Sequence, residues 1–516
     1  MNHFKSVERF TSTLIPGRKT DMATSPSQQD TRNGLKSGKL STASLVFIII
    51  AASAPLTVLA GGAPTNYAVA GLLGVPIGYV VLGIILALFA VGYGRMASQI
   101  QSSGAFYVFI ARGLGLRQGI AGAILALVAY NLMQIGLYGL FGFSAANALT
   151  ALAGIELPWW LLAIVGWLIV GALGMNNIDF SAKVLGIIVT LEFLVVIVFS
   201  VMSIANAPEG VTNSGWQPDQ FFTPGIGVLL AFTMAAFMGF ESGAIYSEEA
   251  KNPERTVSRA TYIAVGIIAA FYAFSAWALQ MGVGPGSIVS QSQEFGPDLV
   301  FVWLADFSTT ASNAAHLLFV TSLMAALIAF HNAAARYFFS LGQSGVLPAA
   351  FGRTAKNGAP IGGSVAQSIL AIVVLAVFAI VGSGSEQEFL FPVVTLFTWF
   401  TNAAAFGLTF LLAITSFAVM VWANRYHREY SVFVKTIAPL LAGIGMAAVT
   451  ALILINFNLM MDTEDFFMIW IMPAIILGSG LIGLIWGEIL IRRNTMNSAH
   501  ITGEVAEIEP QPAAPV

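Results

Sequence analysis

Two carboxylic acids lie in the middle of long apolar runs, where chemistry by charge or by proton transfer becomes possible. Glu241 lies within residues 237–243 (FMGFESG), between two glycines, and Glu192 lies within residues 189–194 (VTLEFL). A charge at the centre of a bilayer costs at least about 2.5–3.5 kcal/mol, so such a group faces a cavity or a partner. Glu192 is predicted either to carry a proton or to bond two helices permanently. Glu241 is predicted to bind a cationic group, to sense a proton or to tether the chain around it.

Further polar groups interrupt other apolar runs. Asn131, Gln134 and Tyr138 are three and four residues apart, which places them near one face of a helix. Such a face either bonds a neighbouring helix or lines a cavity, and both interpretations stay open. His331 and Asn332 lie together on another run, where histidine is a candidate for relaying a proton or for packing. We include this pair among the candidate proton-coupling residues, beside the two carboxylic acids.

The composition excludes an ordinary water-soluble enzyme. Of the 516 residues, 57% are hydrophobic and 9% are charged, whereas soluble domains carry about 25% charged residues. The chain has no cysteine, its five histidines lack metal-ligand spacing, and it lacks the Gly-x-x-x-x-Gly-Lys-Ser/Thr loop of ATP-binding proteins. A net charge of -3 without a basic block gives no sign of nucleic acid as a partner. We predict a membrane protein that contacts lipid, is not an enzyme, and uses no ATP, metal or other cofactor.

Apolar runs long enough to cross about 30 Å of hydrocarbon recur along most of the chain. They predict an all-α polytopic membrane protein with twelve transmembrane helices. The runs fall near residues 43–69, 75–98, 116–149, 158–176, 181–205, 224–247, 258–284, 312–344, 363–382, 389–424, 433–457 and 466–491. We expect helices 1–10 to form a core over residues 43–424 and helices 11 and 12 to occupy 425–493. The polar ends, residues 1–42 and 494–516, are predicted to be disordered tails.

The distribution of basic residues predicts the orientation of these helices. All 22 lysine and arginine residues fall on the two tails or on the even-numbered connections. The opposite loops carry only acids, such as Glu156, Asp219, Glu294 and Asp462. Because cytoplasmic loops are enriched in lysine and arginine, both termini are predicted to lie in the cytoplasm.

Two of the runs contain features that a plain spanning helix avoids. Residues 53–57 (SAPLT) of the first run have Pro55 at their centre, and proline removes a backbone hydrogen bond. The sixth run contains the glycine-flanked Glu241. Two breaks five helices apart suit two inverted five-helix repeats that each open with a broken helix, followed by two extra helices. Half-helix ends expose N–H groups that attract a carboxylate and carbonyls that attract an ammonium, so an amino acid fits both.

Three sequence motifs resemble those of one transporter family. Residues 237–241 (FMGFE) followed by 247–255 (SEEAKNPER) resemble the sixth-helix signature of the amino acid–polyamine–organocation (APC) superfamily. Residues 103–107 (SGAFY) and 341–348 (LGQSGVLP) resemble supporting motifs after the second and eighth helices. The resemblance extends over about residues 40–490. It implies the five-plus-five inverted-repeat fold (the LeuT fold), alternating access, uptake or exchange of amino acids or polyamines, and a bacterial inner membrane.

The chain departs from the family pattern at the first break. Members that bind a substrate carboxylate usually have Gly-Ser/Thr-Gly there, where this chain has Ser53, Ala54 and Pro55. A similar proline-containing segment occurs in putrescine-importer-like members, which keeps a polyamine as an alternative substrate. Ala235 stands where many relatives have a gating aromatic residue, so a nearby phenylalanine would have to close the site. Some proton-coupled relatives have a lysine at what resembles the position of Glu192.

The motifs and the helix breaks together predict a permease for amino acids or related small amines, driven by protons. Its predicted substrate-binding residues are Ser53, Ala54, Pro55, Leu56, Thr57, Asn131, Gln134, Ala235, Phe237, Met238, Gly239, Phe240 and Glu241. Sodium coupling stays open, with carbonyls of the first helix and hydroxyls of Thr321 and Ser322 as ligands, and so does exchange. A channel is a remote alternative, because no charged ring or repeated filter motif is visible.

Overall fold

A computed structural model of the chain describes residues 40–100, 105–175, 178–241, 243, 250–384, 391–461 and 464–502. Within these ranges the chain is helical and has no strand, apart from one isolated bridge between Leu40 and Ala250. Eight helices there are long and apolar enough to cross a membrane. Four shorter apolar helices match the predicted first, fourth, fifth and sixth runs. The prediction of an all-α integral membrane protein is confirmed.

The helices follow the predicted runs closely. The first half contains α1 (Thr42–Ser53), α2 (Ala63–Ala70), α3 (Val75–Gln99), α4 (Ala105–Leu114), α5 (Leu116–Ala153), α6 (Trp159–Gly174), α7 (Ile178–Ala205) and α8 (Ile226–Phe237). The second half contains α9 (Pro253–Val283), α10 (Ile288–Phe295), α11 (Leu299–Ala305), α12 (Thr309–Gln343), α13 (Ile361–Gly382), α14 (Thr398–Tyr426), α15 (Ala438–Ile455), α16 (Phe457–Met461), α17 (Phe466–Arg493) and α18 (Ser498–Thr502). The predicted N-terminal tail up to residue 39, and motif residues 103–104 and 247–249, lie outside the described residues.

The first predicted helix is interrupted where Pro55 occurs. α1 ends at Ser53 because Ala54 adopts a left-handed conformation with φ 45° and ψ 84°. Pro55 then offers no N–H to the preceding turn. The chain continues as a π-helical turn, Thr57–Gly62, and then as α2. The first helix therefore consists of two halves that meet at Ala54.

The sixth predicted helix is interrupted immediately before Glu241. α8 ends at Phe237, and Met238 follows with an extended ψ of 132°. Gly239 has a φ of 104°, a conformation that residues with a Cβ rarely adopt. The Ser53 hydroxyl donates a hydrogen bond to the carbonyl of Ala236 over 3.0 Å. The two interruptions are thus in direct contact.

The buried helix α5 brings most of the remaining elements together. It packs against α4, α6, α12, α14 and α17. The first half of the interrupted first helix, α1, packs against α7, α9 and α12. Through these contacts α7 and α12 lie beside the first interruption.

Short segments cover both ends of the bundle. At the end predicted to face the cytoplasm, the Lys251 N–H donates to the Leu40 carbonyl over 2.8 Å, and α18 packs against α4. Ile501 of α18 is fully buried, so the predicted C-terminal tail begins with a packed helix. At the opposite end, α10 and the turn Gly296–Asp298 pack against α2.

Candidate functional site

A small cavity lies where the two interrupted helices meet. It has a volume of about 50 Å³ and receives residues from the first interruption, α5, α8, α12 and α14. Its lining consists of Ser53, Ala54, Thr57, Val58, Gly62, Met133, Leu137, Phe232, Ala235, Ala236, Ala326, Phe330, Phe397 and Thr401. Small-molecule sites usually measure about 300–1,000 Å³, so these walls must move apart to admit a solute.

The polar groups at this central cavity bond to the protein itself. The Ser53 hydroxyl donates to Ala236, and its carbonyl accepts from the Tyr272 hydroxyl over 3.0 Å. The Thr401 hydroxyl donates to the Phe397 carbonyl of its own helix over 2.8 Å. No ionisable side chain occurs among the described residues that line the cavity. Its walls are therefore uncharged and mainly apolar, and backbone groups at the interruptions, with the hydroxyls of Ser53, Thr57 and Thr401, are the polar groups available to a charged solute.

Some of the predicted binding residues line this cavity, and the others do not. Ser53, Ala54, Thr57 and Ala235 line it. The others lie outside the lining: Pro55, Leu56, Asn131, Gln134, Phe237, Met238, Gly239, Phe240 and Glu241. Phe232 lines the cavity, whereas Phe237 and Phe240, which lie nearer to Glu241 in the sequence, do not.

Glu241 is fully buried and folds back onto the interrupted segment. Its Oε2 accepts a hydrogen bond from the Gly239 N–H over 3.0 Å, and its Oε1 accepts one from the Tyr130 hydroxyl. Its backbone carbonyl accepts a hydrogen bond from the Tyr93 hydroxyl over 3.0 Å. Glu241 therefore ties the unwound segment to α3 and α5, and its carboxyl group is held away from the central cavity.

Buried tyrosines continue from Glu241 towards the end predicted to face the cytoplasm. The ring centroids of Tyr130 and Tyr337 are 5.2 Å apart, and those of Tyr337 and Tyr107 are 6.3 Å apart. The Tyr107 hydroxyl also bonds the Ser340 hydroxyl. We call Tyr93, Tyr107, Tyr130 and Tyr337 the tyrosine cluster. Together with Glu241, the tyrosine cluster forms a barrier of several buried side chains between the central cavity and the end predicted to face the cytoplasm.

Glu192, on α7, is fully buried beside the first interruption. Its Oε2 accepts a hydrogen bond from the Leu56 N–H over 3.3 Å. The next N–H, that of Thr57, donates to the Ser322 hydroxyl over 3.2 Å. Because Pro55 has no N–H, these are the first two donors after the break, and side chains satisfy both. The Oε1 of Glu192 has no hydrogen-bond partner within the described part of the chain.

Two predicted polar residues of α5 and α12 bond α13 instead of lining the cavity. Gln134 accepts a hydrogen bond from Gln367. His331 Nε2 lies 2.6 Å from the Ser364 hydroxyl. All four side chains are buried between the helices, in the manner of interhelical hydrogen bonds.

The neighbouring predicted residues bond within their own helices. The Asn131 side chain donates to the Leu127 carbonyl over 2.6 Å. The carbonyl of Asn332 accepts from Arg336 over 3.1 Å. The Asn131 side chain is therefore engaged within α5, whereas the contact of Asn332 involves only its backbone, and roles in binding for Asn131 and in coupling for Asn332 stay predictions.

Several cavity residues were not predicted from the sequence. Ala326 and Phe330 follow Ser322 at intervals of four residues, which places all three near one face of α12. The same interval relates Phe397 to Thr401. This spacing indicates which residues share a helix face. Because the runs are apolar on all sides, the sequence does not show which of their faces lines a cavity.

A comparison with known proteins identifies the family. The family model described as amino acid permease matches residues 44–495, so the chain belongs to this family of membrane transporters. This confirms the resemblance that was predicted from residues 237–241 and 247–255.

Individual relatives are similar at low identity. The aromatic amino acid transport protein AroP of Escherichia coli K12 is 25% identical over 305 residues, which cover 56% of this chain and 63% of that protein. AroP of Salmonella typhimurium LT2 is 23% identical over 365 residues, covering 68% and 72%. The histidine permease HisP of Lactococcus lactis is 27% identical over 328 residues, covering 59% and 65%. The chain thus spans less than two thirds of the length of E. coli AroP and of HisP.

Proposed function

We propose that this chain is a secondary active transporter that takes up a neutral amino acid with an apolar side chain by alternating access. The observation that carries this proposal is the apolar cavity at the meeting point of two interrupted helices. Apolar walls such as Phe232, Phe330 and Phe397 suit an apolar side chain, while the helix interruptions supply dipoles for a charged amine and carboxylate. The names of the relatives, an aromatic amino acid transport protein and a histidine permease, agree with an amino acid as substrate.

Glu192 is the group that we propose for proton coupling. Its carboxyl group bonds the Leu56 N–H, which is the kind of donor that a substrate carboxylate seeks. A protonated Glu192 is a weaker acceptor, so proton binding releases this N–H for the substrate. Proton and substrate would then favour the same conformation, and this difference in affinity between states drives the cycle. His331 and Asn332 are secondary candidates, because the contact of His331 with Ser364 is also explained by packing and the contact of Asn332 with Arg336 involves only its backbone.

Glu241 is proposed to act in the closure of the pathway. Inward opening requires the halves of the sixth helix to separate from α5, which breaks the bond between Glu241 and Tyr130. The substrate-amine role predicted from the sequence requires the same bond to break first. We further propose the five-plus-five inverted repeat, followed by helices 11 and 12, with both termini on the cytoplasmic side of a bacterial inner membrane.

A polyamine importer is the second candidate function. The first two N–H groups after Pro55 are already bonded to Glu192 and Ser322, which favours a substrate without a carboxylate. Against it, the lining of the central cavity contributes no carboxylate for a second ammonium group.

Thermal unfolding of the purified protein with a panel of ligands separates these candidates. The panel contains apolar, aromatic and polar amino acids, γ-aminobutyrate and putrescine. A ligand at about 100 times its Kd adds roughly 2.7 kcal/mol to the stability of the native state, which raises the melting temperature. We expect stabilisation by apolar or aromatic amino acids. Stabilisation by putrescine alone would support the polyamine importer, and no stabilisation by any ligand would contradict the proposed substrate class.

A further inference from the structure

The segment that follows α17 turns back onto the bundle at the end predicted to face the cytoplasm. α17 ends at Arg493 because Asn494 adopts a left-handed conformation with φ 51° and ψ 39°. Asparagine is one of the few residues with a Cβ that adopt this conformation readily. Residues 495–497 follow, and then the short helix α18. The chain therefore leaves its last long helix by a sharp turn, which returns it to the other helices.

The first contact of this segment is with the end of α12. The Asn497 N–H donates a hydrogen bond to the Ser344 carbonyl over 3.0 Å. Ser344 ends α12, where the last carbonyls of a helix have no partner within the helix. Close by, the indole N–H of Trp486 on α17 donates to the Val346 carbonyl over 2.9 Å. Two hydrogen bonds from the C-terminal part of the chain thus hold the turn that follows α12.

The second contact of this segment is with α4. α18 packs against α4 and α5, and Ile501 of α18 is fully buried there. The carbonyl of Thr502 also accepts a hydrogen bond from the guanidinium Nε of Arg112 on α4. Burial of an apolar side chain favours the packed arrangement. α18 is therefore anchored on α4 by an apolar contact and by a polar one.

The two contacts involve the same pair of helices that the tyrosine cluster joins. The Tyr107 hydroxyl of α4 bonds the Ser340 hydroxyl of α12. Arg112 follows Tyr107 by five residues on α4, and Ser344 follows Ser340 by four residues at the end of α12. A path to the cytoplasm between α4 and α12 requires these helices to separate. The segment that bridges Arg112 and Ser344 opposes this separation.

We propose that residues 494–502, which we call the C-terminal clamp, hold α4 against the end of α12 and so keep the tyrosine cluster closed towards the cytoplasm. One of the two anchors of the clamp must be released before α4 and α12 can separate. A segment that binds only the closed arrangement shifts the equilibrium towards it. The role of the clamp rests on the proposed alternating access, but closure can be measured without a substrate, so the two claims can fail separately.

The test measures how fast a polar maleimide labels Ala326→Cys, at a residue that lines the central cavity, in the full-length chain. Inside-out and right-side-out membrane vesicles present the two sides separately. Asn497→Pro removes the N–H that donates to Ser344, whereas Asn497→Ala keeps it. We expect the proline variant to be labelled about fivefold faster than the alanine variant from the cytoplasmic side, the scale of one lost hydrogen bond. Labelling from the outside should not become faster.

A second pair of variants tests the apolar anchor. Ile501→Asp places a carboxylate in the buried contact between α18 and α4, which should detach α18. Labelling from the cytoplasmic side should again become faster. Ser498→Asp is the matched control, because it adds the same charge at the exposed start of the same helix. Its labelling rate should equal that of the chain with Ala326→Cys alone.

Equal labelling rates within either pair of variants would overturn the proposal. Faster labelling from both sides would overturn it as well, because a general loosening of the fold would then explain the result. Faster labelling from the cytoplasmic side alone, in a protein that accumulates no amino acid, would uphold the clamp and reject the transport function.

Discussion

The carboxyl group of Glu192 accepts a hydrogen bond from the backbone N–H of Leu56 over 3.3 Å, across more than a hundred residues of sequence. A side chain of α7 thereby holds the start of the half-helix that follows Pro55. Leu56 carries the first N–H after the break, where a helix end most favours an anion. An ionised Glu192 and a substrate carboxylate would compete for this donor, and protonation of Glu192 would end the competition.

Replacement of Glu192 by glutamine tests this coupling. Glutamine keeps an oxygen that accepts from Leu56 but cannot bind and release a proton. We expect Glu192→Gln to lose accumulation of substrate driven by a pH gradient while it keeps exchange of labelled for unlabelled substrate. Both are measured in proteoliposomes. Thr190→Val, on the exposed side of the same helix, should keep both activities. Normal accumulation by Glu192→Gln would contradict a role for Glu192 in coupling.

Replacement of Tyr130 by phenylalanine tests the barrier below the cavity. The variant removes one hydrogen bond from the buried carboxyl group of Glu241, which should lower the free energy of unfolding by about 1–3 kcal/mol. We also expect faster labelling of the cavity residue Ala326→Cys by a polar maleimide from the cytoplasmic side. The natural chain contains no cysteine, so this label has no background.

Tyr138→Phe is the matched control for this experiment. It lies on the same helix, but its hydroxyl accepts only a long 3.4 Å bond from Gln134 and does not contact Glu241. Equal labelling rates in Tyr130→Phe and Tyr138→Phe would show that the bond to Glu241 does not hold the barrier closed.

Replacement of Ala235 by tryptophan tests the location of the substrate site. A tryptophan side chain overfills a cavity of about 50 Å³, and overpacking costs about 1–3 kcal/mol of stability. The variant should fold but lose substrate-induced stabilisation and uptake. Ala235→Ser, which hardly changes the volume, should keep both. Uptake at the normal rate by a folded Ala235→Trp would place the substrate elsewhere.

Asp298 lies outside the membrane-spanning helices and should make the stability of the folded protein depend on pH. Burial raises the pKa of Asp298 from 3.8 to about 6, although a hydrogen bond from Asn147 opposes this. The folded protein therefore holds the proton more tightly than the unfolded chain. The stabilisation is complete below pH 3.8 and is lost as the pH rises through about 6.

We expect the melting temperature of the natural protein to fall relative to that of Asp298→Asn as the pH rises from about 4 to about 7. The asparagine cannot titrate but still reaches Asn147. Asp306→Asn, which removes an exposed acid near the start of α12, is the control variant, and the fall relative to Asp298→Asn should persist in it. Parallel curves for the natural protein and Asp298→Asn would contradict the raised pKa.

Both helix interruptions could be predicted from the sequence, because Pro55 removes a backbone N–H from the first helix and Gly239 permits the positive φ found before Glu241. The direction of Glu241 could not. After Met238 the extended backbone and the positive φ of Gly239 turn the chain, so helical spacing no longer indicates which way a side chain points. The bond between Glu192 and Leu56 was equally hidden, since it depends on how α7 packs against the first helix.

The most direct test of the proposed function is accumulation of labelled L-phenylalanine by proteoliposomes without sodium, under an inward proton gradient. Our account predicts accumulation above the external concentration, collapse when a protonophore is added, and no effect of sodium. Accumulation that requires sodium would contradict proton coupling at Glu192. Equilibration without accumulation under any gradient would contradict secondary active transport.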